Sequence, residues 1–102
     1  MIPYSTQSID SLDIKAVNKV LKSNFLTQGP IVKKFEANIE RYTNSRFATS
    51  TNSATSALHI SCMALGLSKN DILWTSSISF VASANCGIYC GAKVDFLDID
   101  ID

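Results

Sequence analysis

The 102-residue sequence lacks internal repeats, low-complexity segments and any excess of charge of one sign. Nine basic residues balance nine acidic ones, and no run of like charges occurs. A balanced, unclustered charge gives no indication of a nucleic-acid surface or of a polybasic membrane tether. We therefore expect the partner to be a small molecule or another protein, with no nucleic acid and no membrane.

Long hydrophobic runs are missing as well. No stretch approaches the ~18 apolar residues needed to span a bilayer, and the N-terminus has no basic region followed by an apolar one, so nothing indicates export. The cysteines are few and odd in number, Cys62, Cys86 and Cys90, and none forms a CxxC pair. Such cysteines act as small buried hydrophobes and suit a reducing cytosol, so we predict a cytoplasmic protein.

Several familiar site motifs are also absent. The chain contains neither GxxxxGK[ST] nor GxGxxG, so the standard phosphate loops are excluded. Its single histidine, His59, lies in an apolar helical pattern, which favours a buried or edge imidazole over a metal ligand or a member of a Ser-His-Asp triad. No metal site is predicted.

What is present is an ordered series of helical and strand-like segments. Apolar residues at helical spacing predict a helix over 11–23 and a second helix after Gly29 and Pro30. From residue 46 the pattern predicts a strand over 46–50, a helix over 53–66, a strand over 71–76, a helix over 79–90 and a strand over 92–99. This alternation predicts parallel strands of an α/β fold. We expect an N-terminal helical arm, 1–45, and the start of a larger α/β domain, 46–102.

The stretch TNSATSALHI, residues 51 to 60, begins the third helix with hydroxyl and amide side chains. A helix N-terminus offers unpaired N–H groups to an anion, and the small Ala54 leaves room for one, with Thr55 and Ser56 as hydroxyl donors. Alternatively, Asn52 or Ser53 simply caps the helix, which is worth about 1 kcal/mol. The residues alone leave both interpretations open.

Phe80 begins the predicted helix after the second strand. We expect it at the same carboxyl edge of the sheet as Thr55 and Ser56, where its ring could lie against a planar ligand. An aromatic residue at a helix start is also a common core residue, so this interpretation stays open too.

Three stretches, in this order, resemble the N-terminal part of the DegT/DnrJ/StrS-type sugar aminotransferases: NFLTQGP, TNSATSALHISCMALGL and TSSISFVASANCGIYCGAKVDFLDID. The resemblance runs from Tyr4 onward. It implies the N-terminal part of the large domain of a fold type I aminotransferase, a three-layer α/β/α arrangement with parallel strands. The family's helix start usually reads Gly-Thr-x-Ala-Leu, and here Ala54 takes the glycine position. The branch most similar makes pseudaminic acid precursors.

The resemblance implies pyridoxal 5'-phosphate as cofactor, with Thr55 and Ser56 at its phosphate and Phe80 stacked on its ring. It implies amino transfer from glutamate to the 4-keto carbon of a UDP-linked deoxysugar, in a homodimer. The residues it places around the nucleotide sugar are Tyr4, Asn24, Phe25, Leu26, Thr27 and Ala54.

The last residues, FLDIDID, still alternate between apolar and acidic, and we expect the chain to be cut from a longer one. The resemblance places the catalytic lysine after residue 102, so no residue of this chain is predicted to be catalytic, and we expect the chain alone to be inactive. A non-catalytic truncated or pseudogene fragment, a small phosphate-binding module, and a dehydratase-like relative with histidine in place of lysine remain alternatives.

Overall fold

The structure, a computed structural model, describes residue 2 and residues 5–100. The chain divides into two compact units, Met1–Thr49 and Ser50–Asp102. None of the helices within the described residues is long and apolar enough to cross a membrane. The elements, in chain order, are α1 (Ser11–Leu21), α2 (Pro30–Thr43), α3 (Ala54–Ala64), β1 (Ile72–Ser76), α4 (Ala82–Tyr89) and β2 (Lys93–Leu97).

The first helix of the first unit, α1, begins with a capping box. The Asp10 carboxylate accepts hydrogen bonds from the Leu12 amide at 2.7 Å and the Asp13 amide at 3.0 Å. In return, the Asp13 carboxylate accepts from the Asp10 amide at 3.0 Å. Three otherwise unpaired N–H groups at the start of the helix are thereby satisfied, which fixes the helix start as predicted.

The second helix, α2, has Pro30 at its first position, where the missing N–H of proline costs nothing. It ends at Thr43 with Asn44 as its C-cap, and the left-handed backbone of Asn44 (φ 53°) turns the chain so that the next amide, that of Ser45, donates to the Glu40 carbonyl at 3.0 Å. Asparagine tolerates this conformation better than most residues, so the helix stop is encoded locally.

The strand predicted over 46–50 is not formed, and this prediction is wrong. Strand structure requires hydrogen bonds to a neighbouring strand, and the only sheet in the described part of the chain consists of β1 and β2. The Ala48 amide instead donates to the Glu40 side chain at 3.0 Å. This segment therefore has no partner strand in the described part of the chain.

The second unit contains the parallel pair that the alternating pattern predicted. β1 and β2 are paired in register from Ile72 with Lys93 to Ser76 with Leu97, and α4 connects them. α4 packs against both strands, and α3 packs against α4. A parallel pair joined by a helix is the basic unit of an α/β fold, which confirms the predicted fold class.

Small residues let these layers approach closely. The buried apolar residues in the described part of the chain are Cys62, Ala82, Cys86 and Ala92. Although the sequence of α3 is largely apolar, only Cys62 of this helix is buried. Leu58 remains 39% exposed and Met63 60% exposed, since α4 covers only one side of α3.

Candidate functional site

The candidate anion site lies at the first turn of α3. Ser53 is the N-cap, and its Oγ accepts a hydrogen bond from the Ser56 amide at 3.2 Å. The first regular helical bond follows, from the Ala57 amide to the Ser53 carbonyl at 3.1 Å. The helix is thus capped, as the structural interpretation of this stretch predicted, but the cap accounts for only one of the unpaired N–H groups of the turn.

The hydroxyl group of Ser56 is hydrogen-bonded to the side chain of Asn52. Ser56 Oγ donates to Asn52 Oδ1 at 2.7 Å, and Ser53 Oγ lies 3.0 Å from Ser56 Oγ and 3.4 Å from Asn52 Oδ1. In this arrangement the Ser56 hydroxyl hydrogen is already used within the protein. Sequence reasoning treated Asn52 only as an alternative cap, although its spacing of four residues from Ser56 is the signal that could have indicated this bond.

The donors that remain lie at Ala54 and Thr55. Within residues 5–100, the amides of both residues and the Thr55 hydroxyl have no hydrogen-bond acceptor. Thr55 is half-buried, and the first turn contains no acidic residue. Free N–H groups at the positive end of a helix dipole, beside a small residue and without a competing carboxylate, match the requirements of a phosphate group. The residues present therefore fit this part of the predicted cofactor.

Phe80 lies between β1 and α4. The helix begins at Ala82, so the prediction that Phe80 starts it is wrong by two residues. The Phe80 carbonyl accepts from the Ser83 amide at 2.9 Å, which fixes the backbone at this point. Its side chain is 73% exposed and therefore is not a core residue. In the part of the chain that the structure describes, no hydrogen bond or ring contact joins Phe80 to Thr55 or Ser56, and its predicted stacking role stays a prediction.

The predicted substrate residues of the first unit lie together in the loop between α1 and α2. The loop follows Ser23, whose Oγ donates to the Phe25 carbonyl at 3.1 Å and accepts from the Phe25 amide at 3.3 Å. Gln28 adopts a left-handed backbone (φ 51°), and Gly29 then caps α2. Asn24, Phe25, Leu26 and Thr27 are all exposed. Tyr4, predicted with them, lies outside the described residues.

His59 and Cys62 contact neighbouring side chains of the second unit. His59 is half-buried, and its ring meets Tyr89 edge-on at 5.2 Å between centroids. Burial, followed by a hydrogen bond with Cys86, raises the pKa of the Cys62 thiol. Among the described residues no group of three or more His, Cys, Asp or Glu side chains is placed to hold a metal ion.

The fold and this turn together define an α/β protein with a candidate anion site at a helix N-terminus. Residues 7–102 match the DegT/DnrJ/EryC1/StrS aminotransferase family, and the chain belongs to that family.

Individual relatives agree with this assignment. The chain is 46% identical over 102 residues to the UDP-4-amino-4,6-dideoxy-N-acetyl-beta-L-altrosamine transaminase of Campylobacter jejuni, covering all of this chain but 27% of that enzyme. A Streptococcus pneumoniae protein described as a sugar aminotransferase and solved in its PLP form is 30% identical with a TM-score of 0.91, covering 99% of this chain and 26% of that one.

A third relative is also an aminotransferase. The aminotransferase PseC of Helicobacter pylori, involved in the biosynthesis of pseudoaminic acid, is 37% identical with a TM-score of 0.86. The match covers 96% of this chain and 27% of PseC. The chain thus spans about a quarter of the length of these relatives.

Proposed function

We propose that this chain contributes part of the cofactor site and part of the substrate site of a pyridoxal phosphate-dependent aminotransferase. The enzyme would transfer an amino group from glutamate to the 4-keto carbon of a UDP-linked deoxysugar. Family membership supports this proposal, and the relatives from Campylobacter jejuni and Helicobacter pylori point to the pseudaminic acid branch. The observation that carries it is the set of free donors on the first turn of α3.

The cofactor phosphate would be held by the Ala54 and Thr55 amides and by the Thr55 hydroxyl. These groups are free in the described chain, and the helix dipole adds to their attraction for an anion. Ser56 would join them when its hydroxyl turns away from Asn52, which exchanges one hydrogen bond for another to a charged acceptor. Pyridoxal phosphate, when bound, supplies the electron sink that amino transfer requires.

Phe80 would contact the face of the cofactor ring. Its ring is 73% exposed, while its carbonyl is tied into the start of α4. An exposed aromatic ring on a fixed backbone is well suited to stack on a planar ligand, because the backbone is already ordered and only two side-chain torsions of phenylalanine have to be restricted on binding.

The nucleotide sugar would be bound by Asn24, Phe25, Leu26 and Thr27, together with Tyr4 and the backbone near Ala54. The four loop residues are consecutive and exposed, and Ser23 restrains the middle of the loop through Phe25. Their role in substrate binding rests on the family resemblance. None of these residues is proposed to move a proton in the reaction.

We also propose that the enzyme acts as a homodimer in the cytoplasm, on small molecules and without nucleic acid or membrane. Residues beyond this chain would supply the catalytic lysine and the rest of the site. The domain division, a helical arm over 1–45 and a cofactor-binding domain from residue 46, belongs to this proposal. Three free cysteines suit a reducing compartment.

Borohydride trapping tests the proposal. The full-length enzyme, incubated with pyridoxal phosphate and then reduced, is expected to retain a covalent cofactor adduct on a lysine outside this sequence, whereas the 102-residue chain should retain none. A parallel sample of the full-length enzyme, left unreduced, should aminate the UDP-linked 4-keto sugar when glutamate is supplied. An adduct on a lysine of residues 1–102, or cofactor uptake without amino transfer, would contradict the proposed function. The second result, accompanied by loss of the sugar's 3-hydroxyl, would favour a dehydratase.

A further inference from the structure

Gly29, at the end of the loop between α1 and α2, has no room for a side chain. A Cβ built on Gly29 would lie 2.7 Å from Phe25 Cβ, 3.5 Å from the Phe25 carbonyl oxygen and 3.6 Å from Phe25 Cγ. Gly29 has an ordinary backbone (φ −79°), so it is not needed there for conformational freedom. Glycine is required at position 29 because there is no space for a Cβ atom beside Phe25.

Phe25 is restrained from both ends of the loop: Gly29 lies close to it on one side, and Ser23 is hydrogen-bonded to it on the other. Ser23 Oγ is hydrogen-bonded to both the carbonyl and the amide of Phe25. Gln28 turns the chain through a left-handed conformation so that Gly29 returns against Phe25. The backbone of Phe25 is therefore held from two sides, while its side chain is 59% exposed.

We propose that Gly29 is a positioning residue for substrate binding: the absent Cβ lets Phe25 take the place from which the loop contacts the nucleotide sugar. The identity of the ligand rests on the proposed function. The coupling between positions 29 and 25 rests on the geometry of this loop. A Cβ at 2.7 Å from another Cβ cannot be accommodated by turning a flexible side chain, because both atoms are attached directly to the backbone. A side chain at position 29 must therefore change the distance between the backbones of residues 25 and 29.

A double-mutant cycle tests the coupling in the full-length enzyme. The proteins are wild type, Gly29→Ala, Phe25→Gly, which removes the contacted Cβ, and the double variant. The measured quantity is the Kd of UDP-4-amino-4,6-dideoxy-N-acetyl-beta-L-altrosamine, titrated into enzyme in the pyridoxamine phosphate form so that no transfer occurs. Gly29→Ala alone should raise this Kd on the order of tenfold, as small misplacements of binding groups do. In the Phe25→Gly background it should change Kd by less than about twofold.

A cap-matched variant separates positioning from helix stability. Gly29 is the N-cap of α2, where alanine is a poor cap and serine a good one. Gly29→Ser introduces the same Cβ as Gly29→Ala, so it should weaken sugar binding to the same extent. Because serine is the better cap, Gly29→Ser should melt at a higher temperature than Gly29→Ala. Uptake of pyridoxal phosphate, followed by absorbance, should be unchanged in every variant.

The outcomes distinguish the inference from the function on which it rests. Equal effects of Gly29→Ala in both backgrounds, or normal sugar affinity in Gly29→Ser, would overturn the positioning role of Gly29. Wild-type enzyme that takes up pyridoxal phosphate but does not bind the UDP-linked amino sugar would overturn the proposed substrate and, with it, this inference.

Discussion

The Ser56 hydroxyl donates a hydrogen bond to Asn52 Oδ1 at 2.7 Å, while the Ser56 amide donates to Ser53 Oγ. Both donors of Ser56 are thus used within the protein. The adjacent Thr55 has both its amide and its hydroxyl free in the described chain. Although the two residues are neighbours of similar chemistry, Ser56 must break hydrogen bonds within the protein to bind a phosphate, whereas Thr55 need not.

Thr55 should therefore contribute more to cofactor affinity than Ser56. Thr55→Val, which keeps the shape but removes the hydroxyl, should weaken binding of pyridoxal phosphate to the full-length enzyme about tenfold or more, because a hydrogen bond to a charged group is worth about 1.5–3 kcal/mol. Ser56→Ala should reduce cofactor affinity less, because the wild-type hydroxyl must first break its hydrogen bond to Asn52. Fluorescence titration with the cofactor measures both. Thr55→Ser, which restores the hydroxyl, is the control, and a larger loss in Ser56→Ala would contradict this ranking.

Ser53 allows helix capping to be separated from anion binding. Ser53→Ala should lower the free energy of unfolding by about 1 kcal/mol through loss of the cap to the Ser56 amide. Ser53→Asp should retain the cap, because a carboxylate accepts the same hydrogen bond, yet its negative charge should repel a phosphate at this turn. In chemical denaturation, Ser53→Ala should therefore be the less stable of the two variants. In cofactor titration, Ser53→Asp should be the weaker binder. Tight cofactor binding by Ser53→Asp would argue that the phosphate lies elsewhere.

Gly87 controls the packing of α4 on the sheet. An added Cβ would lie 2.8 Å from Leu73 Cδ2, 3.0 Å from Leu73 Cβ and 3.2 Å from Val94 Cγ2. Gly87→Ala should therefore destabilise the protein by about 1–3 kcal/mol from overpacking, reduced by up to about 1 kcal/mol from the better helix propensity of alanine. Urea denaturation measures the change. In a Leu73→Ala background the same substitution should cost less, and an undiminished cost would show that these contacts are not its cause.

The sequence predicted the elements whose signals are local. Apolar residues at helical spacing predicted α1, Gly29 and Pro30 predicted the start of α2, and apolar segments predicted β1 and β2. The segment 46–50 has a strand-like composition, but strand formation also depends on a neighbouring strand, which composition does not encode. Phe80 was assigned to a helix that begins two residues later, because Val81 provides no side-chain cap to mark the boundary.

The candidate site was predictable to the same extent. Thr55 and Ser56 were found from their place before an apolar helix, which is a local signal. The different hydrogen-bonding of the two hydroxyls depends on side-chain rotamers, and the contact of Gly29 with Phe25 depends on how the loop closes. Both are properties of the folded loop that residue identities alone do not determine.

The Cys62 thiol should make stability fall at alkaline pH. Its pKa is raised by burial and by Cys86, so the folded protein holds this proton more tightly than the unfolded chain does. The stability that this provides is complete below the ordinary thiol value of 9.0 and is lost as pH rises from there through the higher pKa of the folded state. Urea denaturation between about pH 7 and 10.5 should show a steeper decline for wild type than for Cys62→Ala, which has no thiol at this position. Cys90→Ala is the control that retains the Cys62 thiol: Cys90 makes the smallest contribution to the raised pKa of Cys62, so this variant should decline almost as steeply as wild type. If Cys62→Ala and wild type declined in parallel, ionisation of Cys62 would not be coupled to folding.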